Sequence, residues 1–228
     1  MNKRKIDTRA LILTAFAVFV IIALYKQMGR LKPPVPAELE KLQGRRIAII
    51  DSAYVNLPLR FICRMPSALW HMTLESTDTC AIEVDPNLSL FSQIRWLMSA
   101  ERFRGPDRLA GCRVGILPRQ DRHIMDIANS LMANLFDRDG SEIRSEIIQP
   151  VTAPAHPVLK GAYFLILLPE SENQSFVRLV CVLPRKPWIY IVECRTPEKH
   201  YPIVRDELEG IVRRFFPLPA TFLEDSKR

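Results

Sequence analysis

The chain is 228 residues long, 48% hydrophobic and 25% charged, with a formal net charge of +7. That balance excludes an intrinsically disordered chain. The basic excess is dispersed and not interleaved with aromatics, which argues against a nucleic-acid surface. Eight glycines against 18 prolines argue against a glycine-rich phosphate loop.

Residues 1–9 form a basic tail in which Lys3, Arg4, Lys5 and Arg9 outnumber one acid, Asp7. From Ala10 to Tyr25 the chain reads ALILTAFAVFVIIALY without a charge. Sixteen helical residues reach about 24 Å, short of a hydrocarbon core of about 30 Å. Snorkelling of Arg9 and Lys26, or inclusion of Ile6 and Met28, closes that gap. The run ends Ala23-Leu24-Tyr25-Lys26, with bulky residues where a signal peptidase requires small ones. Residues 10–28 are therefore expected to be an uncleaved, single-pass signal anchor with no polar face. The N-terminal flank is the more basic, which puts the tail in the cytoplasm and the domain on the extracytoplasmic side. The linker, 29–45, contains Pro33, Pro34 and Pro36, a stiff spacer that cannot continue the helix. Its end, Ala37–Arg46, is charged and expected to be a short helix.

About 185 residues remain, enough for one domain with a proper core; it is placed at 46–217, with a frayed tail at 218–228. Ile47–Ile50 reads as a short strand. Tyr54–Met65 reads as another, with Leu57, Leu59, Phe61 and Cys63 alternating before Pro66. Leu69–Leu74, Cys80–Val84, Gln93–Ala100 (Ile94, Trp96 and Met98 at period two) and Cys112–Leu117 follow. Asp121 is the expected N-cap of a helix whose stripe is Ile124, Ile127, Ala128, Leu131, Met132 and Leu135. After a turn at Asp139-Gly140, Glu146–Val151 and Ala162–Leu168 read as strands. Phe176–Leu183 and Trp188–Arg195 form a hairpin about Arg185-Lys186. That register puts Val177, Leu179, Cys181 and Leu183 opposite Cys194, Val192, Tyr190 and Trp188 on one apolar face, and Arg178 opposite Glu193 on the other. A last helix from Pro202 to Phe216 presents Val204, Leu208, Ile211, Val212 and Phe215. The expected fold is α+β: an antiparallel sheet covered by two amphipathic helices, an α/β/α sandwich behind an N-terminal transmembrane helix.

Pro58–Met72 (PLRFICRMPSALWHM), Cys112–Pro118 with its helix, and Ile189–Phe216 with its Thr196-Pro197-Glu198 corner and terminal Phe215-Phe216 resemble PsbP-like α/β/α domains. That class includes DcrB-like bacterial envelope proteins. The resemblance covers about 150 residues and is one of element order. It implies a non-enzymatic role in assembly or protein binding, and it carries over no catalytic residue.

Chemistry-bearing motifs are scarce. No CxxC, HExxH, P-loop, GxGxxG or GxSxG occurs, and no metal or other cofactor is expected. The cysteines Cys63, Cys80, Cys112, Cys181 and Cys194 read as buried small hydrophobes, with one disulfide such as Cys80–Cys112 as the alternative in an oxidising compartment. The cluster Asp121, His123 and Asp126 reads as a helix start rather than a metal site. Asn87-Leu88-Ser89 and Asn173-Gln174-Ser175 match the glycosylation sequon at a chance level. Arg102, Phe103, Arg104 and Arg108, read as one loop, are the candidate interaction residues for a lipid surface or an acidic partner.

The expected function is a membrane-anchored, non-enzymatic protein-binding module, an assembly or adaptor factor whose partner is another envelope protein. The alternatives are an envelope hydrolase without a local motif and a structural subunit of a transport or secretion machine. No small-molecule ligand is named by the sequence. A cysteine placed at Pro36 should be modified by a membrane-impermeant maleimide in intact cells; protection of that site would reverse the topology.

Overall fold

The computed structural model describes residues 35–76, 88–119, 121, 123–137, 146–152, 156, 158–171 and 174–219. The anchor at 10–28, the strand at Cys80–Val84 and the turn at Asp139-Gly140 lie outside these residues. Among the described residues no helix is long and apolar enough to cross a membrane. The account below concerns Glu38–Arg228, one compact unit; Met1–Ala37 is another.

The early strands are short, with apolar residues on both sides, and they form a sheet of their own. β1 (Ile47–Ile50) turns through Asp51-Ser52 into β2 (Ala53–Asn56). β2 pairs with β3 (Phe61–Arg64), and a C-terminal strand, β11 (Phe215–Pro217), completes the order β1-β2-β3-β11. The single strand expected over Tyr54–Met65 is thus two strands about a Leu57–Arg60 turn. Asn56 sets that turn: its Oδ1 accepts the Leu59 N–H at 3.0 Å, and its Nδ2 donates to the Tyr54 hydroxyl at 2.7 Å. Arg60 adopts φ 59°, a conformation that no strand residue holds.

The second sheet has seven antiparallel strands in the order β4-β5-β6-β10-β9-β8-β7. They are β4 (Trp70–Leu74), β5 (Arg95–Arg104), β6 (Asp107–Pro118), β7 (Glu146–Thr152), β8 (Ala162–Ser171), β9 (Gln174–Arg185) and β10 (Trp188–Pro197). The period-two pattern through Trp96 and Met98 is broken by a register shift between them. Leu97 is the extra residue, and both Leu97 and Met98 then face the core shared with the small sheet.

Among the described residues three α-helices accompany the sheets. The short α1 (Ala37–Glu40) is confined to the start of the expected helical stretch, and Glu38 there pairs with Arg64 at 2.6 Å. In α2 (Ile124–Asp137) the buried residues are Ile127, Ala128, Leu131 and Leu135, all within the expected stripe. The helix begins after His123 rather than at an Asp121 cap: His123 Nδ1 accepts the Met125 N–H at 3.3 Å. α3 (Tyr201–Arg213) buries Val204, Leu208, Ile211 and Val212. It stops three residues before the expected end because Phe215 and Phe216 pair in β11 with Cys63 and Ile62. Leu218, expected in the frayed tail, is buried, and its N–H donates to the Arg60 carbonyl at 2.8 Å.

The β9–β10 register is displaced by two residues from the expected one. Trp188 faces Arg185, Tyr190 faces Leu183, Val192 faces Cys181 and Cys194 faces Leu179. The turn residues are therefore Lys186-Pro187. A turn centred on Arg185-Lys186 would need the Pro187 N–H to close it, and proline has none. A two-residue slip keeps every side chain on its own face, so the apolar partition survives, and Arg178 still reaches Glu193 diagonally at 3.1 Å.

The main sheet is apolar on both faces. On one, Phe164, Ile166, Val180, Val182, Ile189 and Ile191 pack under α2. On the other, Val177, Leu179, Cys181, Tyr190, Val192 and Cys194 join Tyr54, Phe61 and Phe215 of the small sheet and the buried side of α3. The fold is α+β with two antiparallel sheets, the smaller one sharing a face of the main sheet with α3. The single sheet expected from sequence is corrected to two because β2 and β3 need apolar cover on both sides: Val55 and Ile62 pack with Leu42 and Ala48 on the far face.

Phe61 lies at the junction. Its ring centroid is 5.4 Å from Tyr54, 5.0 Å from Tyr190 and 4.8 Å from Phe215. Phe61→Ala should lower unfolding stability by about 3–5 kcal/mol in a denaturant titration, whereas truncating exposed Leu69 should change it by less than about 0.5 kcal/mol.

Candidate functional site

The helix α2 covers only part of its face of the main sheet. Beyond it, strand alternation puts charged residues where hydrophobic ones stood. β6 offers Gly111 and Arg113 to that side, β10 offers Glu193 and Arg195, β9 offers Arg178, and β5 offers Ser99 and Glu101. With Glu75 and Arg108 these line a cleft of about 400 Å³.

The charges are held in set positions. Arg113 makes a two-pronged contact with Glu75, at 3.2 Å from Nε to Oε1 and 2.8 Å from Nη2 to Oε2. Its guanidinium also lies over the Trp96 ring, 4.2 Å from the centroid. Arg195 is stacked on Phe176 at 3.9 Å. Arg108 meets Glu101 at 3.0 Å, and a methyl group on Gly111 would come within 2.6 Å of the Arg108 guanidinium. Glycine at 111 therefore lets an arginine lie flat across the strand.

Glu193 is the unusual member. It is only 6% exposed, and burial pushes its carboxyl above the ordinary carboxylate value, against the opposing pull of Arg178, Arg113 and Arg195. Cys112 belongs to the same stretch of β6 but its side chain is in the core, where the neighbouring Cys194 thiol first and burial next hold its thiol well up, so it is no nucleophile for the cleft. Among the described residues no group of three or more His, Cys, Asp or Glu side chains is placed to hold a metal ion.

The four sequence-singled residues are spread over the β5–β6 hairpin rather than a loop, with Gly105 at φ 60° in its turn. Arg102 is tied to α3: its Nε donates to Glu207 Oε2 at 3.3 Å, and the same oxygen accepts the Trp70 indole N–H at 2.7 Å. Phe103 lies against His71, with centroids 5.9 Å apart. Arg104 is exposed. Only Arg108 lines the cleft. Of the cleft residues the Arg178–Glu193 pair is legible in the sequence, and Arg113, Glu75, Glu101 and Arg195 are not. The available signal was charge at alternate positions within strands that are otherwise apolar, Arg113 in β6 and Glu193 with Arg195 in β10.

No family model matches the chain, and no curated protein matches it. Among solved structures it is similar to the cyanobacterial PsbP (CyanoP) of Synechocystis sp. PCC 6803, at 12% identity over 75% of this chain and 95% of that one, with a TM-score of 0.49. It is also similar to the Ran-binding protein Mog1p of Saccharomyces cerevisiae, at 11% identity over 71% and 92% of the two chains, TM-score 0.40. A third is LpqN of Mycobacterium tuberculosis, involved in cell envelope biogenesis, at 9% identity over 66% and 92%, TM-score 0.40. One of these neighbours is a PsbP protein. At these identities and TM-scores the likeness says nothing of this chain's partners.

Glu193 supplies a pH signature. Its folded-state affinity for a proton is raised, so its contribution to stability is full below the ordinary carboxylate value of 4.5 and is lost as the pH rises through the raised value. Glu193→Gln should therefore gain on the wild type as pH rises above about 4.5. Arg178→Met, which leaves a buried carboxylate without its partner, should cost about 3–5 kcal/mol at neutral pH and less at pH 4, read from denaturation midpoints across that range.

Proposed function

We propose that the protein is a membrane-anchored, non-enzymatic binding module that presents the charged cleft to a protein partner on the extracytoplasmic side, as an assembly or adaptor factor of an envelope complex. The anchoring half of this reading rests on the uncharged run Ala10–Tyr25, its basic flank and the proline spacer behind it. The binding half rests on the cleft, where arginines stacked on Trp96 and Phe176 stand beside carboxylates.

Stacked guanidinium groups lose little rotamer freedom when they bind, and arginine and aromatic residues are the commonest anchors of protein interfaces. A pocket for a small apolar molecule would be lined mainly by hydrophobic side chains, whereas arginine and glutamate make up most of this lining. Its charge pattern complements a segment bearing both signs, with the acidic side chains of the partner meeting Arg108, Arg178 and Arg195.

The hydrolase alternative has one observation in its favour. A buried carboxyl with its proton affinity raised, as at Glu193, is what a general acid requires. It would need a nucleophile or an activated water beside it, and Ser99 is the hydroxyl that shares the cleft. Turnover of an ester or amide substrate that Glu193→Gln abolishes would favour this alternative over binding.

The binding reading is tested by crosslinking in membranes, mild detergent extraction and recovery of the full chain. A stoichiometric partner should be recovered, and reversing the charge at Arg108 and Arg195 to Glu should reduce its yield by about tenfold or more while the far-UV spectrum is kept. Recovery of the chain alone and monomeric would sink the reading, as would a partner indifferent to both reversals.

A further inference from the structure

Two cysteines in the middle of the main sheet turn their side chains away from the cleft and into the core. Cys112 on β6 and Cys194 on β10 are direct cross-strand partners in a register that runs unbroken from Trp188↔Pro118 to Arg195↔Gly111. The Arg119 N–H donates to the Pro187 carbonyl at 3.0 Å. The pair just beyond that ladder is therefore of the hydrogen-bonded kind. Antiparallel pairs alternate in kind, which makes Leu117↔Ile189, Gly115↔Ile191 and Arg113↔Glu193 hydrogen-bonded, and makes Ile116↔Tyr190, Val114↔Val192 and Cys112↔Cys194 not.

The distinction decides whether the sulfurs can join. Opposed residues of the non-hydrogen-bonded kind have Cα atoms about 4.5 Å apart and the closer side chains. A disulfide spans Cα separations of about 4.4–6.8 Å. Both side chains point into the core between the two sheets, at 1% and 0% exposure. The thiol of Cys63 on β3 is pushed up by burial first and by Cys112 second. Cys181 faces Val192 instead.

We propose that Cys112 and Cys194 are a disulfide-forming pair, closed while the domain folds in the presence of a disulfide donor. One cysteine thiolate attacks the donor disulfide, forming a mixed disulfide and expelling the first donor thiol. The second cysteine thiolate then attacks the mixed disulfide at the protein sulfur and expels the second. The cysteines together lose two protons and two electrons, and the donor disulfide is reduced to two thiols. In the folded domain both sulfurs are out of reach of a donor or a reductant, so the bond is made before the core closes and is shielded afterwards. It joins the central strands of the main sheet and closes a loop of about 80 residues, the long-loop regime in which a crosslink restricts the unfolded chain most. The pairing also displaces the Cys80–Cys112 alternative read from the sequence.

The test uses the purified full chain in mild detergent, reduced and unfolded, then refolded either with a mixture of oxidised and reduced glutathione or with reductant alone. Remaining thiols are alkylated under denaturing conditions and mapped by peptide mass. The expected product of the first arm is one crosslinked peptide pair containing Cys112 and Cys194, with Cys63 and Cys181 alkylated. Its thermal midpoint should exceed that of the reduced arm by roughly 10 °C. Cys63→Ala should keep both the crosslink and the shift, and Cys194→Ala should lose both. Four alkylatable core thiols after refolding with glutathione would overturn the proposal, and so would a crosslink running through Cys63 or Cys80. The outcome is independent of topology, because the donor is supplied in solution.

Discussion

Everything else in the domain depends on the aromatic junction where Tyr54, Phe61 and Phe215 of the small sheet meet Tyr190 of the large one. The Tyr190 hydroxyl donates to the Leu59 carbonyl in the turn that Asn56 shapes, so the contact is directional as well as apolar. Burial first of all pushes the hydroxyls of Tyr54 and Tyr190 up to about 12, and both stay neutral through the physiological range. A small four-stranded sheet with strands of three or four residues has little independent stability. It persists because one of its faces is continuous with the core of its larger neighbour, and because β11 returns from the far end of the chain to pair with β3.

The same rule of alternation gives the main sheet both its core and its cleft. β9 and β10 are apolar on both faces where α2 and the small sheet cover them. Past the end of that cover, Arg178, Glu193 and Arg195 occupy the same alternating positions that Val180, Val182, Ile189 and Ile191 occupy under the helix. The site is therefore not an addition to the fold. It is the portion of one sheet face that α2 leaves open, stabilised by charge pairing in place of packing.

Much of the fold was legible because periodicity survives local error. The stripes of α2 and α3 and the apolar partition of the β9–β10 hairpin were readable, and the hairpin kept its faces although its register is displaced by two residues. What could not be read was tertiary. Nothing local says that Ile47–Arg64 forms a separate sheet, since that depends on Phe215 and Phe216 arriving from the C-terminus. The Trp96/Met98 irregularity broke a pattern that looked regular, because a bulge is set by how neighbouring strands fit. For the site, Arg178 and Glu193 were visible as a local pair, while Glu75, Arg113 and Arg195 come together only once β5, β6 and β10 lie side by side.

The far edge of the main sheet has its own significance. β7 pairs with β8 through two register shifts, carries Pro150 within its span, and leaves Ile147 and Ile148 exposed. A straight strand with that much exposed isoleucine would offer its unpaired backbone to another molecule's edge. Proline withholds one of the donors such a pairing needs, and the irregular register keeps the remaining ones from lining up in sequence. Two copies meeting at β7 thus lack a straight, complete edge to share. At this edge, strand-to-strand addition by a second copy is disfavoured by the backbone itself.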